Sequence, residues 1–421
     1  MRPSCLPFLS IFSFLYVCCT PVLVNGQDNG LVNQLKGHIV RLDSLDLAGE
    51  NNVRMMSKAL PREFTVLGIG EQSHGTSEFF TARLLLIKAL AADTAFTKIG
   101  LEAPMAEADK LNDYLREGRG DLKAVLRSFR LYGYECPEFV DLVESVGQIG
   151  KARGKAIRFF GFDMQSPFQS LQNLRDSGVA SDISDSLKNL MHDYELLNNE
   201  VYNHSISATD FADLKTLSDQ VLDKLTGKAQ TNELVRKSIR SYRQFLLLND
   251  SGHAHAMDVQ SEIRDSLMAE NVLAEMESGQ KMVLLAHNGH LQRTPNIFSK
   301  STGSFLARKL GSAYQCVGLT TSYGFYTTID PTVGHITDKN KVFAGDSTTW
   351  EYHFSKIAQP VFFFNTAVLK QSRKGLHLPG RYRLLVYGPA DNQFFDGSLP
   401  DDFDYILHIR KTSGNHSFYL K

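Results

Sequence analysis

A chain of 421 residues with 43% hydrophobic content can fill a complete core, arranged as one large domain or two of ordinary size. Its formal net charge of -1, with both signs scattered along the sequence, supplies neither a basic stripe for nucleic acid nor an acidic tail. Nucleic-acid binding is therefore set aside and a small-molecule partner expected.

The chain opens with Arg2, an apolar run over residues 6–23, and the small residue Gly26 before Gln27. That order predicts a signal peptide over residues 1–26, with residues 27–421 forming the mature domain in the periplasm or outside the cell. Serine, proline, threonine and cysteine interrupt the run and no second span follows, so stable membrane insertion is not expected after cleavage. The bulky Val17 before Cys18 argues against lipid attachment. Cys5, Cys18 and Cys19 leave with the leader, and Cys136 and Cys316 remain either to pair or to stay as buried thiols.

Apolar runs of strand type fall at residues 64–70, 97–103, 156–163, 281–286, 314–320, 360–368, 381–387 and 403–409. Helical-looking stretches separate the first four, which predicts an α/β fold whose mostly parallel central sheet is flanked by helices; the closely spaced last strands suggest an antiparallel edge. Strand signals vanish over residues 167–279, where Leu recurs at helical spacing. This segment reads as a helical insertion forming a wall or lid over the strand carboxyl ends, where open parallel sheets bind ligands.

Four of the runs end in groups able to do chemistry. The first delivers Glu71 and His74 in the turn GEQSHG, just ahead of a helix starting near Thr76-Ser77. The positive end of that helix disfavours imidazolium, which suits His74 to accept a proton as a general base. Arg83 lies on the same helix, where it is either a solvated arginine or a partner for Glu71 or for a developing oxyanion. Glu102 ends the second run; if the two strands are neighbours, it reaches His74 and fixes its tautomer. Asp163 ends the third run, and His287-Asn288-Gly289-His290 closes the fourth. Arg264, Met268 and Asn271 share a helix face that could add an anion or amide contact, and Asn288 and Asp163 join Arg264 as candidate substrate contacts.

Histidines and a carboxylate at strand ends also suit an open metal site, but no HExxH spacing and no cluster of three ligands is present, so no cofactor is expected and a divalent metal is the alternative. A serine nucleophile finds little support, because GEQSHG lacks the GxSxG elbow and Ser73 adjoins His74. Water deprotonated by His74 is the simpler nucleophile.

These residues together resemble the erythromycin esterase family: a GE-x-x-HG turn, an arginine in the next helix, a strand ending in Glu, and a late H-N-x-H turn stand here as GEQSHG, Arg83, Glu102 and HNGH. GFDMQ at 161–165, RDSLMAEN at 264–271 and TGSFLARKLGSAYQCVGLTTSYG at 302–324 extend the likeness. The resemblance implies ester hydrolysis on an α/β scaffold without a serine triad, with a macrolide lactone as substrate. It casts His74 as general base with Glu71, Arg83, Glu102 and His287 around it and His290 beside them. Where the family often carries Trp shortly before HN, this chain has Leu285-Ala286, and its single tryptophan is Trp350. Two other readings use the same groups: an acyl transferase or esterase acting on a carbohydrate, and a periplasmic metal- or haem-binding protein.

Overall fold

The computed structural model describes residues 28–420 except 47–48, 119, 179–180, 198–207, 227–231, 255, 331–333, 372–377 and 386–387. The expected leader, residues 1–26, lies outside the described residues. Among those described, no helix is long and apolar enough to cross a membrane.

Among the described residues eleven strands form: β1 (Val40–Leu42), β2 (Val66–Ile69), β3 (Phe96–Pro104), β4 (Arg158–Asp163), β5 (Lys281–Leu285), β6 (Tyr314–Asp330), β7 (His335–Val342), β8 (Val361–Asn365), β9 (Arg381–Arg383), β10 (Phe394–Asp396) and β11 (Tyr405–Thr412). Nine build the main sheet in the order β1-β8-β11-β6-β2-β5-β3-β4, with β7 paired to β6 off this path, while β9 and β10 make a separate ribbon. The run from β11 to β4 is parallel throughout, and β8 joins it antiparallel, as does β7. The α/β expectation with an antiparallel edge describes this sheet, but β1 and β7 arise where no run was expected and three expected runs differ in place or length. The strand at 403–409 is not an edge but an interior strand, parallel to β6 and antiparallel to β8, the described part of the run at 381–387 yields the short β9, and β6 continues well past residue 320 because β7 pairs along its extension.

Both faces of the sheet are buried, which explains why its strands read as unbroken apolar runs rather than as alternation. Leu67, Ile69, Ile99, Leu101, Val283 and Leu285 face one core, beneath the helices Glu50–Ala59, Ser77–Leu90 and Pro137–Arg153. Val66, Phe160, Phe162, Met282 and Leu284 face the other, covered by Met257–Ala274, Thr302–Leu310 and Trp350–Ser355. Cys136 and Cys316 are both buried free thiols.

The described part of residues 167–279 is helical, and Leu171, Leu187, Phe211, Val235 and Tyr242 belong to an apolar cluster of its own. Its last helix, Met257–Ala274, returns to the sheet through Met268 and Val272. That return carries Arg264 and Asp265 to the carboxyl ends of the strands.

The turn after β2 depends on a glycine. Gly75 has φ +75, and its carbonyl accepts from Thr327 N (2.9 Å) and Asn415 N (2.8 Å), so the turn is moored to β6 and to the segment after β11. A Cβ there would overlap the Thr327 carbonyl. Gly75→Ala is expected to lower stability by about 2 kcal/mol or more, read as a shift in the urea midpoint, since backbone conformation and steric overlap oppose it together.

Candidate active site

The strand order corrects one expectation and explains the geometry. β5 lies between β2 and β3, so Glu102 and His74 are not on neighbouring strands. The carboxylate that reaches His74 is instead Glu71 from its own turn: Glu71 Oε1 lies 2.8 Å from His74 Nδ1. Arg83 is wholly buried, not solvated, and its fork donates Nη1 to Glu71 Oε2 and Nη2 to the Ala286 carbonyl, each at 2.8 Å. Arg83 thus aligns Glu71 and at the same time clamps the β5 turn against the β2 turn.

Two further bonds stitch these turns together. Asn288 N donates to Glu71 O at 2.7 Å, and His287 Nε2 lies 3.1 Å from Gln72 O. Because His287 Nδ1 accepts from Gly289 N at 3.2 Å as the cap of the helix Asn288–Leu291, its proton sits on Nε2 and is donated to Gln72. Burial, followed by the nearby His74, pushes His287 down to about 4, so it is a neutral ring with both nitrogens engaged. It packs beside His74, with ring centroids 5.1 Å apart.

Glu102 stands where the pairing of β3 with β4 shifts register, between Leu101 and Pro104, and such irregularities redirect a side chain at a strand end. Its Oε2 accepts from His287 N at 2.7 Å, while Oε1 lies 3.3 Å from both Arg264 Nη2 and His290 Nε2. Burial opposes charge on Glu102, yet His290, His74 and Arg264 hold its carboxyl well below the ordinary range. His290 is the opposite of His287. Burial again opposes the charged form, but Asp265 and Glu102 outweigh it and raise His290 to about 10, making it an imidazolium that donates Nδ1–H to Asp265 Oδ1 at 2.8 Å.

Asp163, at the end of β4, is fully buried behind Arg264, which it holds through Oδ2 at 2.6 Å and Oδ1 at 3.3 Å. Asn288 is also buried and donates to the Leu319 carbonyl, which ties the HNGH turn to β6. Neither is among the residues lining the cavity described below; Asp163 holds Arg264, and Asn288 holds the turn. Met268 and Asn271 diverge from Arg264 as well: Met268 enters the core, and Asn271 bonds Gln244 and the Phe162 carbonyl.

A cavity of about 190 Å³ opens on this constellation, lined by His74, Glu102, Arg264, Asp265, His287 and His290, with Met257, Phe298 and Leu384 toward its apolar side. With Nδ1–H directed at Glu71, Nε2 is the basic nitrogen of His74, and proton uptake there sets an imidazolium beside a carboxylate already oriented by Arg83. Arg264 and His290 line the same space, and their positive charge suits it to negative charge developing on an oxygen. Among the described residues no group of three His, Cys, Asp or Glu side chains could hold a metal ion. Ser73 is buried and shares a 2.7 Å hydrogen bond with Thr76.

Asp265 escaped sequence reasoning although it adjoins Arg264. It anchors three donors at Oδ1: His290 Nδ1, and the Thr302 N and Oγ1, the last two at 2.6 Å. Gln72 was overlooked too; its buried amide accepts from Thr321 N at 3.0 Å and donates to Glu351 at 2.6 Å, fixing the backbone that receives His287. Both stand inside quoted motifs, Gln72 in GEQSHG and Asp265 in RDSLMAEN, but the partners that give them a role are remote in the chain.

The profile of the erythromycin esterase family, described as "Erythromycin esterase", matches residues 92–412. An erythromycin esterase type II from Escherichia coli is 24% identical over 395 residues, covering 84% of this chain and 91% of that protein. An Escherichia coli erythromycin esterase type I is also 24% identical, over 56% of this chain and 63% of its own length. Among solved structures, a succinoglycan biosynthesis protein superposes with TM-score 0.73 at 20% identity, covering 93% of this chain and 98% of its own. A mutant of the erythromycin esterase EreC in its open conformation gives TM-score 0.68 at 17% identity over 91% and 100% of the two chains.

The two histidines of the HNGH turn move stability in opposite directions with pH. His287, depressed to about 4, contributes stability that is present above its ordinary value near 6.5 and lost as pH falls through about 4. His290, raised to about 10, contributes stability that is full below about 6.5 and lost as pH rises through about 10. Asp265→Asn is expected to flatten the alkaline loss between these limits while leaving the acid limb unchanged, measured as urea midpoint against pH.

Proposed function

Because the chain belongs to the erythromycin esterase family, we propose that it is an exported hydrolase that cleaves a carboxylic ester of a small molecule by attack of water. The observation that carries the reading is the buried relay from Arg83 through Glu71 to His74, ending at the cavity. Export rests on the leader-like residues 1–26.

In this mechanism His74 Nε2 takes a proton from water as the oxygen attacks the ester carbonyl. Glu71 stabilises the resulting imidazolium, and Arg83 keeps Glu71 from turning away. The carbonyl oxygen gathers negative charge beside the positive charges of Arg264 and His290, which Asp163, Asp265 and Glu102 hold in place. Collapse of the tetrahedral intermediate breaks the bond to the alkoxy oxygen, which receives the proton held by His74, and leaves a carboxylic acid and an alcohol. His287, neutral and fully engaged, acts as a spacer that fixes Glu102 and packs against His74. The names of the Escherichia coli relatives support a macrolide lactone as the first substrate to test.

His74→Ala should lower kcat by at least about 100-fold with folding intact. Turnover in ¹⁸O-labelled water, followed by mass spectrometry across macrolides and simple esters, should place one labelled oxygen in the acid product. Unchanged turnover in the variant defeats the mechanism, and product without added water defeats hydrolysis.

A further inference from the structure

We propose that Met257 and Phe298 form an apolar jaw over the catalytic cavity that selects esters with a bulky, rigid apolar group next to the carbonyl. The proposal rests on the ester-hydrolase reading above.

Large apolar side chains left in water are informative when they gather at a cleft. Among the described residues, Met257 is 74% and Phe298 45% exposed, and both line the cavity that holds His74 and His290. Each has an exposed apolar neighbour in sequence, Val259 and Ile297 respectively. The two sides come from distant parts of the chain: Met257 opens the helix Met257–Ala274, and Phe298 lies on the loop leading to Thr302–Leu310.

The loop is held, not draped. Asn296 Nδ2 donates to the Gly289 carbonyl of the HNGH turn at 2.9 Å, and its Oδ1 accepts from Phe298 N at 2.8 Å and Ser299 N at 2.9 Å. Lys300 then pairs with Glu262 on the opposing helix at 2.7 Å. These ties fix Phe298 relative to the reacting groups and join the loop to the helix that bears Met257. The cavity floor is charged, with Glu102, Arg264 and His290, so a carbonyl belongs at the floor and apolar bulk at the rim. A short acyl group would leave the jaw wet, whereas a ring system would cover it and gain binding energy that can be used to orient the carbonyl.

The test compares p-nitrophenyl 2-naphthoate with p-nitrophenyl acetate in wild type, Phe298→Ser, Met257→Ser and the conservative Phe298→Leu. Loss of apolar contact in such a pocket is expected to lower kcat/KM for the naphthoate about ten-fold in the serine variants, with Phe298→Leu recovering most of it and the acetate changing less than about two-fold. Calorimetric titration with N-phenyl-2-naphthamide reads the jaw without ester cleavage and should show the same about ten-fold weakening. Equal affinity in wild type and serine variants, or no binding to wild type, overturns the jaw. Jaw-dependent amide binding with no turnover of either ester keeps the jaw and overturns the hydrolase reading.

Discussion

The guanidinium of Arg83 grips two things at once: the carboxylate that orients His74 and the carbonyl of Ala286 where β5 gives way to the HNGH turn. A buried cation is costly unless its charge is paired, and Glu71 supplies the opposite charge at Nη1 while the Ala286 carbonyl accepts from Nη2. The consequence is mechanical as well as electrostatic. The base, its carboxylate and the turn supplying His287 and His290 form one unit that cannot drift apart without leaving a charge stranded in the core.

Around that unit the protein sorts chemically identical side chains into different states. His287 and His290 stand three residues apart on one turn, yet one is neutral and the other an imidazolium, because one faces a backbone carbonyl and an amide while the other faces Asp265 and Glu102. Glu71 and Glu102 divide in the same manner: the first serves His74, the second receives the His287 amide and restrains the cationic pair. Arg264, resting on Asp163 and Glu102, is the cation from the helical wall and lines the cavity beside His290. Position, not residue type, decides who accepts and who donates.

Much of this is legible in the sequence. Uninterrupted apolar runs ending in Glu71, Glu102, Asp163 and His287 announce strands buried on both faces that deliver polar groups to one edge, and GEQSHG marks a turn before a helix. What the runs could not convey is which strands touch, since VLGI and MVLL are interchangeable as apolar ladders, and so Glu102 was expected beside His74 when β5 separates them. Asp265 stayed hidden because its partners, His290 and Thr302, follow it by 25 and 37 residues across separate elements. The surface or solvated role open to Arg83 had the same origin: its helix also carries Glu78, Thr81 and Lys88 partly in solvent, and only the fold reveals that Arg83 points the other way, into the site.

The placement of β5 bears on how the molecule comes into being. The strands β2, β3 and β4 leave the ribosome first, but a vacant slot separates β2 from β3 until Lys281–Leu285 has been made and threaded between them. The whole helical segment must be synthesised in the interval, so the ladder at the centre of the sheet closes through contacts of very long sequence separation. Until then a nascent chain holds β3 and β4 with an open edge and β2 with no sheet partner at all, since β6, its other neighbour, is made later still; such unpaired strands are the kind of species that chaperones guard.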